Sequence, residues 1–306
     1  MDEIITRVLN QIGDNELLEK LLLLSKSDLN SLLLKLYQEQ GKTVTPVDLL
    51  KSFHKNRFTV PSDICPINYH KLEFELLSLA QQKSIETVLL SPSAPFGSCC
   101  AFGYVDQNKI ISAVRGTEAL PDPSNMLAII IADKLKNKEI DNNEGLHYCT
   151  TVRVVRAQTF PAKKGYYSHF GIFSIVSSGK DSGSYTCELS LLLKQIDYYK
   201  QLVIDKYNAN LSIIIKKRDG YKDADGFISK IASLLSNKLP DVPFAIENDT
   251  VDNQYYIGMN YKIIMEKDDT KIEIGDGGFV DWIQRMTSNN KERCLISGIG
   301  IDRLLI

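Results

Sequence analysis

The chain closes on a run that leaves little choice of local structure. Cys294-Leu-Ile-Ser-Gly298-Ile-Gly300 is apolar and strand-like, and it passes through Asp302-Arg303 into a short Leu-rich helical end. Two glycines let a backbone approach a flat ligand closely, and an arginine just beyond them can hold a phosphate. Upstream, Thr151-Val-Arg-Val-Val-Arg156-Ala-Gln158-Thr-Phe160 alternates as a strand should, with β-branched residues throughout. A polar loop from Pro161 to Ser168 follows, and a second strand starts at His169-Phe-Gly-Ile-Phe173-Ser-Ile-Val176.

In this order the segments resemble the motifs of the class II aminoacyl-tRNA synthetases. The final run resembles motif 3, Gly-apolar-Gly-apolar-Glu/Asp-Arg, in which the arginine grips the ATP γ-phosphate. That places Arg303, with Asp302 beside it, on the nucleotide. Arg156-Ala-Gln158, a ten-residue loop and His169 to Phe173 fit motif 2, with Gln158 standing where Glu is usual. The resemblance implies Arg156 on the α-phosphate, His169 near the outer phosphates and Phe173 stacked on adenine, with Gln158 among the nucleotide contacts. The chemistry agrees: adenylate formation attacks the α-phosphorus, where a fixed guanidinium stabilises developing charge. Arg156 and Arg303 are therefore the catalytic candidates. Taken alone, His169 also reads as a satisfied sheet histidine and Phe173 as core packing.

Three further segments carry the resemblance, which spans about residues 62 to 306. Gln81 to Pro92, entered from the helical stretch Asn68 to Gln82, is similar to the motif 1 strand, whose role in the family implies a homodimer. Phe102 to Glu118 is similar to a hairpin and loop of histidyl- and prolyl-type enzymes, which implies Arg115, Thr117 and Glu118 at the substrate, with Glu118 on an ammonium group. Ile272 to Trp282 is similar to the glycine-rich strand and turn of histidyl-type enzymes, implying Glu273, Gly275, Gly277 and Gly278 at the amino-acid pocket. Glu273, Asp276 and Asp281 could hold Mg²⁺ through carboxylate oxygens, as hard cations prefer. Turn chemistry explains Asp276 equally well.

Residues 1 to about 60 read differently. Leu17 to Leu24 and Leu29 to Leu36 repeat apolar residues at helical spacing, with a capping box at Ser25-Lys-Ser-Asp28 between them. Thr45-Pro46-Val47-Asp48 is a second capping box, with proline at the first helical position. This is an N-terminal helical extension (1–60) before a catalytic core (61–306), joined at a proline-bearing junction near Val60-Pro61. Later segments read as a helix over Cys187 to Tyr207, a strand at Leu211 to Ile215, a helix over Phe227 to Leu239, and a hairpin of Gln254 to Glu266 with Lys271 to Gly275, closed by Asp268-Asp269. Many strands with segregated helices argue an α+β fold, a mostly antiparallel sheet flanked by helices.

The formal net charge of −2 supplies no basic field, which argues against tight independent tRNA binding. The chain ends just after Arg303, so no anticodon-binding domain is expected. Six scattered cysteines without a Cys-x-x-Cys pair, and no leader, read as a cytoplasmic protein with free thiols. Histidine spacing suggests no structural zinc, and no apolar run is long enough to span a bilayer. The reading that results is an ATP- and Mg²⁺-dependent, adenylate-forming protein that activates an amino acid or similar carboxylate. Its acceptor could be tRNA, a carrier protein or a partner enzyme. The alternative is an inactive regulatory or binding paralogue, as in the histidyl-type regulatory subunit of ATP phosphoribosyltransferase; Gln158 favours it.

Overall fold

The computed structural model describes residues 2–159, 167–247, 255–267 and 270–305. It begins with four helices: α1 (Asp2–Ile12), α2 (Leu17–Leu22), α3 (Lys26–Gly41) and α4 (Pro46–Lys55). The capping signals act as read. Ser25 Oγ accepts the Asp28 N–H at 3.0 Å and Thr45 Oγ1 accepts that of Asp48 at 3.2 Å. None of α2, α3 and α4 has a buried residue.

Next come α5 (Pro66–Gln82), β1 (Glu86–Thr87), β2 (Ser93–Pro95), α6 (Cys100–Gly103), β3 (Thr117–Ala119) and α7 (Pro123–Lys136). Then follow β4 (Leu146–Val155), β5 (His169–Lys180), α8 (Thr186–Tyr207), β6 (Asn210–Lys217), α9 (Ala224–Lys238) and β7 (Phe244–Glu247). The chain finishes with β8 (Ile257–Lys267), β9 (Thr270–Val280), α10 (Trp282–Thr287), β10 (Glu292–Gly300) and a 3-10 turn at Asp302–Leu304. Eight strands form one sheet in the order β1-β4-β5-β10-β9-β8-β6-β7. It is antiparallel except at its margins, where β1 pairs with β4 and β6 with β7 in parallel. This is the expected α+β architecture.

One expectation needs correcting: the motif 1 strand shrinks to the two residues of β1. Phe102 to Glu118 holds the end of α6 and a 3-10 turn at Gln107–Lys109, then closes as a short hairpin in which Ser112 pairs antiparallel with Glu118; the start of β3 also pairs back to β2. The Asp268-Asp269 closure and most of the Pro161–Ser168 loop lie outside the described residues.

The sheet is covered on both faces. On one, α5, α8 and α9 pack through residues such as Leu76, Tyr198 and Ile231 against Phe173, Ile175 and Ile213. On the other, α7 and α10 pack through Leu127, Ile131 and Trp282 against Val176, Tyr148 and Ile296. Alternation along β5 sets this division, because neighbouring residues point to opposite faces. Phe173 is fully buried and stacks on Tyr198 at 5.1 Å. Gly171, on the same face, must be glycine, since a side chain there would collide with Tyr69 of α5. α7 covers the other face only as far as its N-terminus. Beyond that point the sheet is bare, and the bare patch is a cleft.

Candidate functional site

The cleft has a volume of about 350 Å³ and opens over β5, β9 and β10 beside the start of α7. Its floor is backbone: Gly298 and Gly300 lie on β10. A Cβ on Gly298 would meet nothing closer than 3.5 Å, so the missing side chain leaves flat, open space rather than relieving a clash. A Cβ on Gly300 would rest in ordinary contact on the stem of Arg303 at 3.4 Å. This floor suits a planar ligand, as the glycine pair suggests.

Arg156 and Arg303 both line the cleft. Arg156 sits at the end of β4, where its Nε donates to the Pro121 carbonyl at 2.8 Å and its Nη2 to Asp122 at 3.2 Å. Its guanidinium lies 5.3 Å from the centre of the Phe170 ring. Among the described residues its Nη1 carries no hydrogen bond. Arg303 is exposed and donates from Nη1 to the Glu273 carbonyl at 3.2 Å. Asp302 is buried; it accepts the Gly171 N–H at 3.0 Å and pairs with Arg153 at 3.3 Å, which fixes the turn that carries Arg303.

Other expected site residues are placed elsewhere. Phe173 faces the α8 side and cannot stack on a ligand in the cleft. Phe170, three residues earlier on the opposite face, lines the cleft instead. His169 also turns to the α5 side. Its Nδ1 accepts from Arg153 Nη2 at 2.9 Å, so the ring keeps its proton on Nε2 and donates to the Val60 carbonyl at 2.6 Å. The carbonyl of Gln158 accepts from Arg57 at 3.0 Å, and its side chain does not line the cleft.

Glu118 is fully buried away from the cleft, where its carboxylate accepts from the Gly97 N–H, Ser98 Oγ and Gln107 Nε2 at 2.7–3.0 Å. Buried and accepting three hydrogen bonds, it holds the loop rather than a substrate ammonium. Thr117 donates to the Val114 carbonyl, and the exposed Arg115 gives its backbone N–H to Asn30 of α3 at 2.9 Å. Gly277 and Gly278 are sealed beneath Tyr261 and Ser297, and Tyr256 and Asn260, respectively, whereas Gly275 lines the cleft.

Glu273 also lines the cleft, but its carboxylate is paired with Lys262 at 2.7 Å. Asp276 stands open to the cleft, with Tyr256 donating to it at 3.3 Å. Protein crowds it on every other side, and this desolvation raises its carboxyl above the ordinary range. Glu273 and Asp122 push the same way. Asp281 lies outside the cleft, 3.9 Å from Arg285. Among the described residues, no three His, Cys, Asp or Glu side chains converge on a point able to hold a metal.

Four participants escape a reading along the sequence. Asp122 and Ser124 begin α7, Phe170 lies on β5 and Tyr255 precedes β8; all four line the cleft. Asp122 caps α7 by accepting the Ser124 N–H at 2.8 Å, so Asp122-Pro123-Ser124 had a legible signal as a helix start. Arg57 is a fifth, outside the cleft itself. Its guanidinium binds the Ala157 and Gln158 carbonyls and Ser168 Oγ, tying together the two strands that carry Arg156 and Phe170.

No protein-family profile matches the chain, and no curated protein sequence does. Solved structures match in fold. Apo histidyl-tRNA synthetase from S. aureus superimposes with a TM-score of 0.59 at 12% identity, over 80% of this chain and 68% of that one. An ATP phosphoribosyltransferase regulatory subunit/histidyl-tRNA synthetase from Bacillus halodurans C gives 0.60 at 11%, over 81% and 82%. A threonyl-tRNA synthetase structure from Cryptosporidium parvum Iowa II gives 0.62 at 9%, over 78% and 62%. Among the described residues, no helix is long and apolar enough to cross a membrane. The sheet order, the glycine floor and these likenesses agree: the chain has a class II aminoacyl-tRNA synthetase-like core.

Proposed function

We propose that the cleft binds ATP and activates an amino acid or a close relative as its adenylate. The observation that carries this reading is the placement of Arg156 and Arg303 around the bare Gly298–Gly300 floor. In this reading Phe170 stacks on the adenine, and Arg156 offers its unbonded Nη1 to the α-phosphate. Arg303 takes the outer phosphates, held in place by Asp302. Asp122 and Asp276 give the remaining wall a negative character, so the substrate carries an ammonium group that these carboxylates receive. An ammonium beside Asp276 would favour its charged form. Mg²⁺ would offset phosphate charge; Glu273 is already paired with Lys262 and no cluster of carboxylates converges among the described residues, so the phosphate oxygens themselves would be its main ligands.

A regulatory or binding role is the second reading. It is favoured by the Arg156–Asp122 pair, which occupies part of the guanidinium, and by the withdrawal of Gln158 from the cleft. Amino-acid-dependent exchange of pyrophosphate into ATP, with no tRNA added, separates the two. Exchange with at least one amino acid supports activation, and Gln158→Glu is expected to leave it intact. ATP binding without exchange, across the twenty standard amino acids and in both forms, supports the regulatory role.

A further inference from the structure

The two arginines that line the cleft are held by different chemistry. Arg303 donates from Nη1 to a backbone carbonyl, that of Glu273, at 3.2 Å. Arg156 is held by a carboxylate: its Nη2 donates to Asp122 Oδ2 at 3.2 Å. Both side chains of this pair line the cleft, and they keep 25% and 30% of their surface exposed, so a ligand can reach the contact. Each partner also has a second tie. Arg156 donates from Nε to the Pro121 carbonyl at 2.8 Å, and Asp122 Oδ1 caps α7 by accepting the Ser124 N–H at 2.8 Å. With those ties kept, the contact between Oδ2 and Nη2 is the one a ligand can exchange. While it stands, the carboxylate offsets guanidinium charge that a phosphate would otherwise meet in full.

We infer that Asp122 makes the nucleotide and the ammonium substrate bind as a pair. An ammonium arriving at Asp122 Oδ2 replaces the guanidinium there and leaves the full charge of Arg156 to the α-phosphate. A phosphate on Arg156, in turn, leaves Asp122 to the ammonium. Each ligand raises the affinity for the other, and linkage requires the two factors to be equal. This coupling, which rests on the nucleotide reading above, gives Asp122 a role on the phosphate only through Arg156, as a positioning residue. It also selects substrates, because a carboxylic acid without an ammonium group has nothing to offer Asp122.

Calorimetric titration with Mg²⁺ and α,β-methylene-ATP, which cannot form an adenylate, tests the exchange. Asp122→Asn and Asp122→Ser both keep a capping side chain for α7, so their unfolding midpoints should stay close to that of the unmodified protein. Each is expected to bind the nucleotide about three- to tenfold more tightly, because nothing then offsets Arg156. In an Arg156→Ala background the same substitutions should change affinity less than about twofold, a non-additivity that a role in capping alone would not produce. Titrations repeated with each of the twenty standard amino acids should show at least one that tightens nucleotide binding by the unmodified protein and does not tighten it in either Asp122 variant. Unchanged or weaker nucleotide binding by both variants would overturn the inference. So would a gain that persists without Arg156, or amino-acid coupling that is absent from the unmodified protein or survives in the variants. Nucleotide binding by neither the unmodified protein nor the variants would overturn the nucleotide reading itself, and the coupling with it.

Discussion

Helices α3 and α8 start from similar local instructions and end in opposite environments. Both are long and leucine-rich. Leu191, Leu192, Ile196, Tyr198 and Tyr199 of α8 are buried against the sheet, while Leu32, Leu36 and Tyr37 of α3 stand in solvent. Caps and helix formers specify that a helix exists. What it buries depends on whether another element presents a matching face. α8 lies over β5, β6 and β10, whose alternation supplies one. α3 touches the core through polar groups on the turn before β3. The two regions therefore divide the work: the core holds the cleft in shape, and the helices present a surface.

Substitution tests this division most strongly in the core. Phe173→Ala removes the ring stacked on Tyr198 and is expected to cost about 3–5 kcal/mol in urea unfolding. Leu36→Ala, measured under dilute conditions, should cost less than about 0.5 kcal/mol. Equal costs would mean that α3 is buried in the isolated chain. Glu118→Ala should come next, at roughly 1–3 kcal/mol, because it leaves the Gly97 N–H, Ser98 and Gln107 without their acceptor. Ligand affinity should then stay within a few-fold of the unmodified protein. A selective loss of amino-acid affinity at unchanged stability would return Glu118 to the substrate site.

The core also holds a pH-sensitive group. Burial on β4, reinforced by the nearby Lys194 charge, lowers His147 to about 4 from its ordinary 6.5. The unfolded chain thus binds the proton more readily between those values. Stability from this residue is present above pH 6.5 and is lost as pH falls through about 4. The loss should reach at most about 3 kcal/mol, measured as urea midpoints across that range, and His147→Gln should flatten the slope.

Arg57 joins the two regions, and its effect should be the smallest. Arg57→Ala should weaken ATP binding by a few-fold while changing stability by about 1 kcal/mol or less, because it unties exposed carbonyls. Arg57→Lys should restore little of the affinity, since a single ammonium cannot replace the planar fork. Unchanged ATP affinity in both variants would make Arg57 a surface tie with no bearing on the cleft.

Much of the core is legible in the sequence because period and turn chemistry are local. β4, β5 and the antiparallel meander β8-β9 follow alternation, and Asp302-Arg303 follows the glycine pair to the cleft as its motif suggests. Which face of β5 meets the cleft is not local. Phe170 and Phe173 are both aromatic and lie on opposite faces, and only α8 packing on Phe173 decides between them. Glu118 looks like a ligand contact until the folded loop brings Gly97, Ser98 and Gln107 to it. Asp122 is legible as a helix cap, but its approach to Arg156, 34 positions away, requires the sheet.

Calorimetric titration of the unmodified protein with ATP and Mg²⁺, beside Arg156→Ala and Arg303→Ala, tests the nucleotide cleft most directly. Each charge-assisted phosphate contact contributes about 1.5–3 kcal/mol, so each variant should lose roughly tenfold to a hundredfold in affinity. Their unfolding midpoints should stay close to that of the unmodified protein. No ATP binding by the unmodified protein, or equal binding by all three, would contradict a nucleotide site between Arg156 and Arg303.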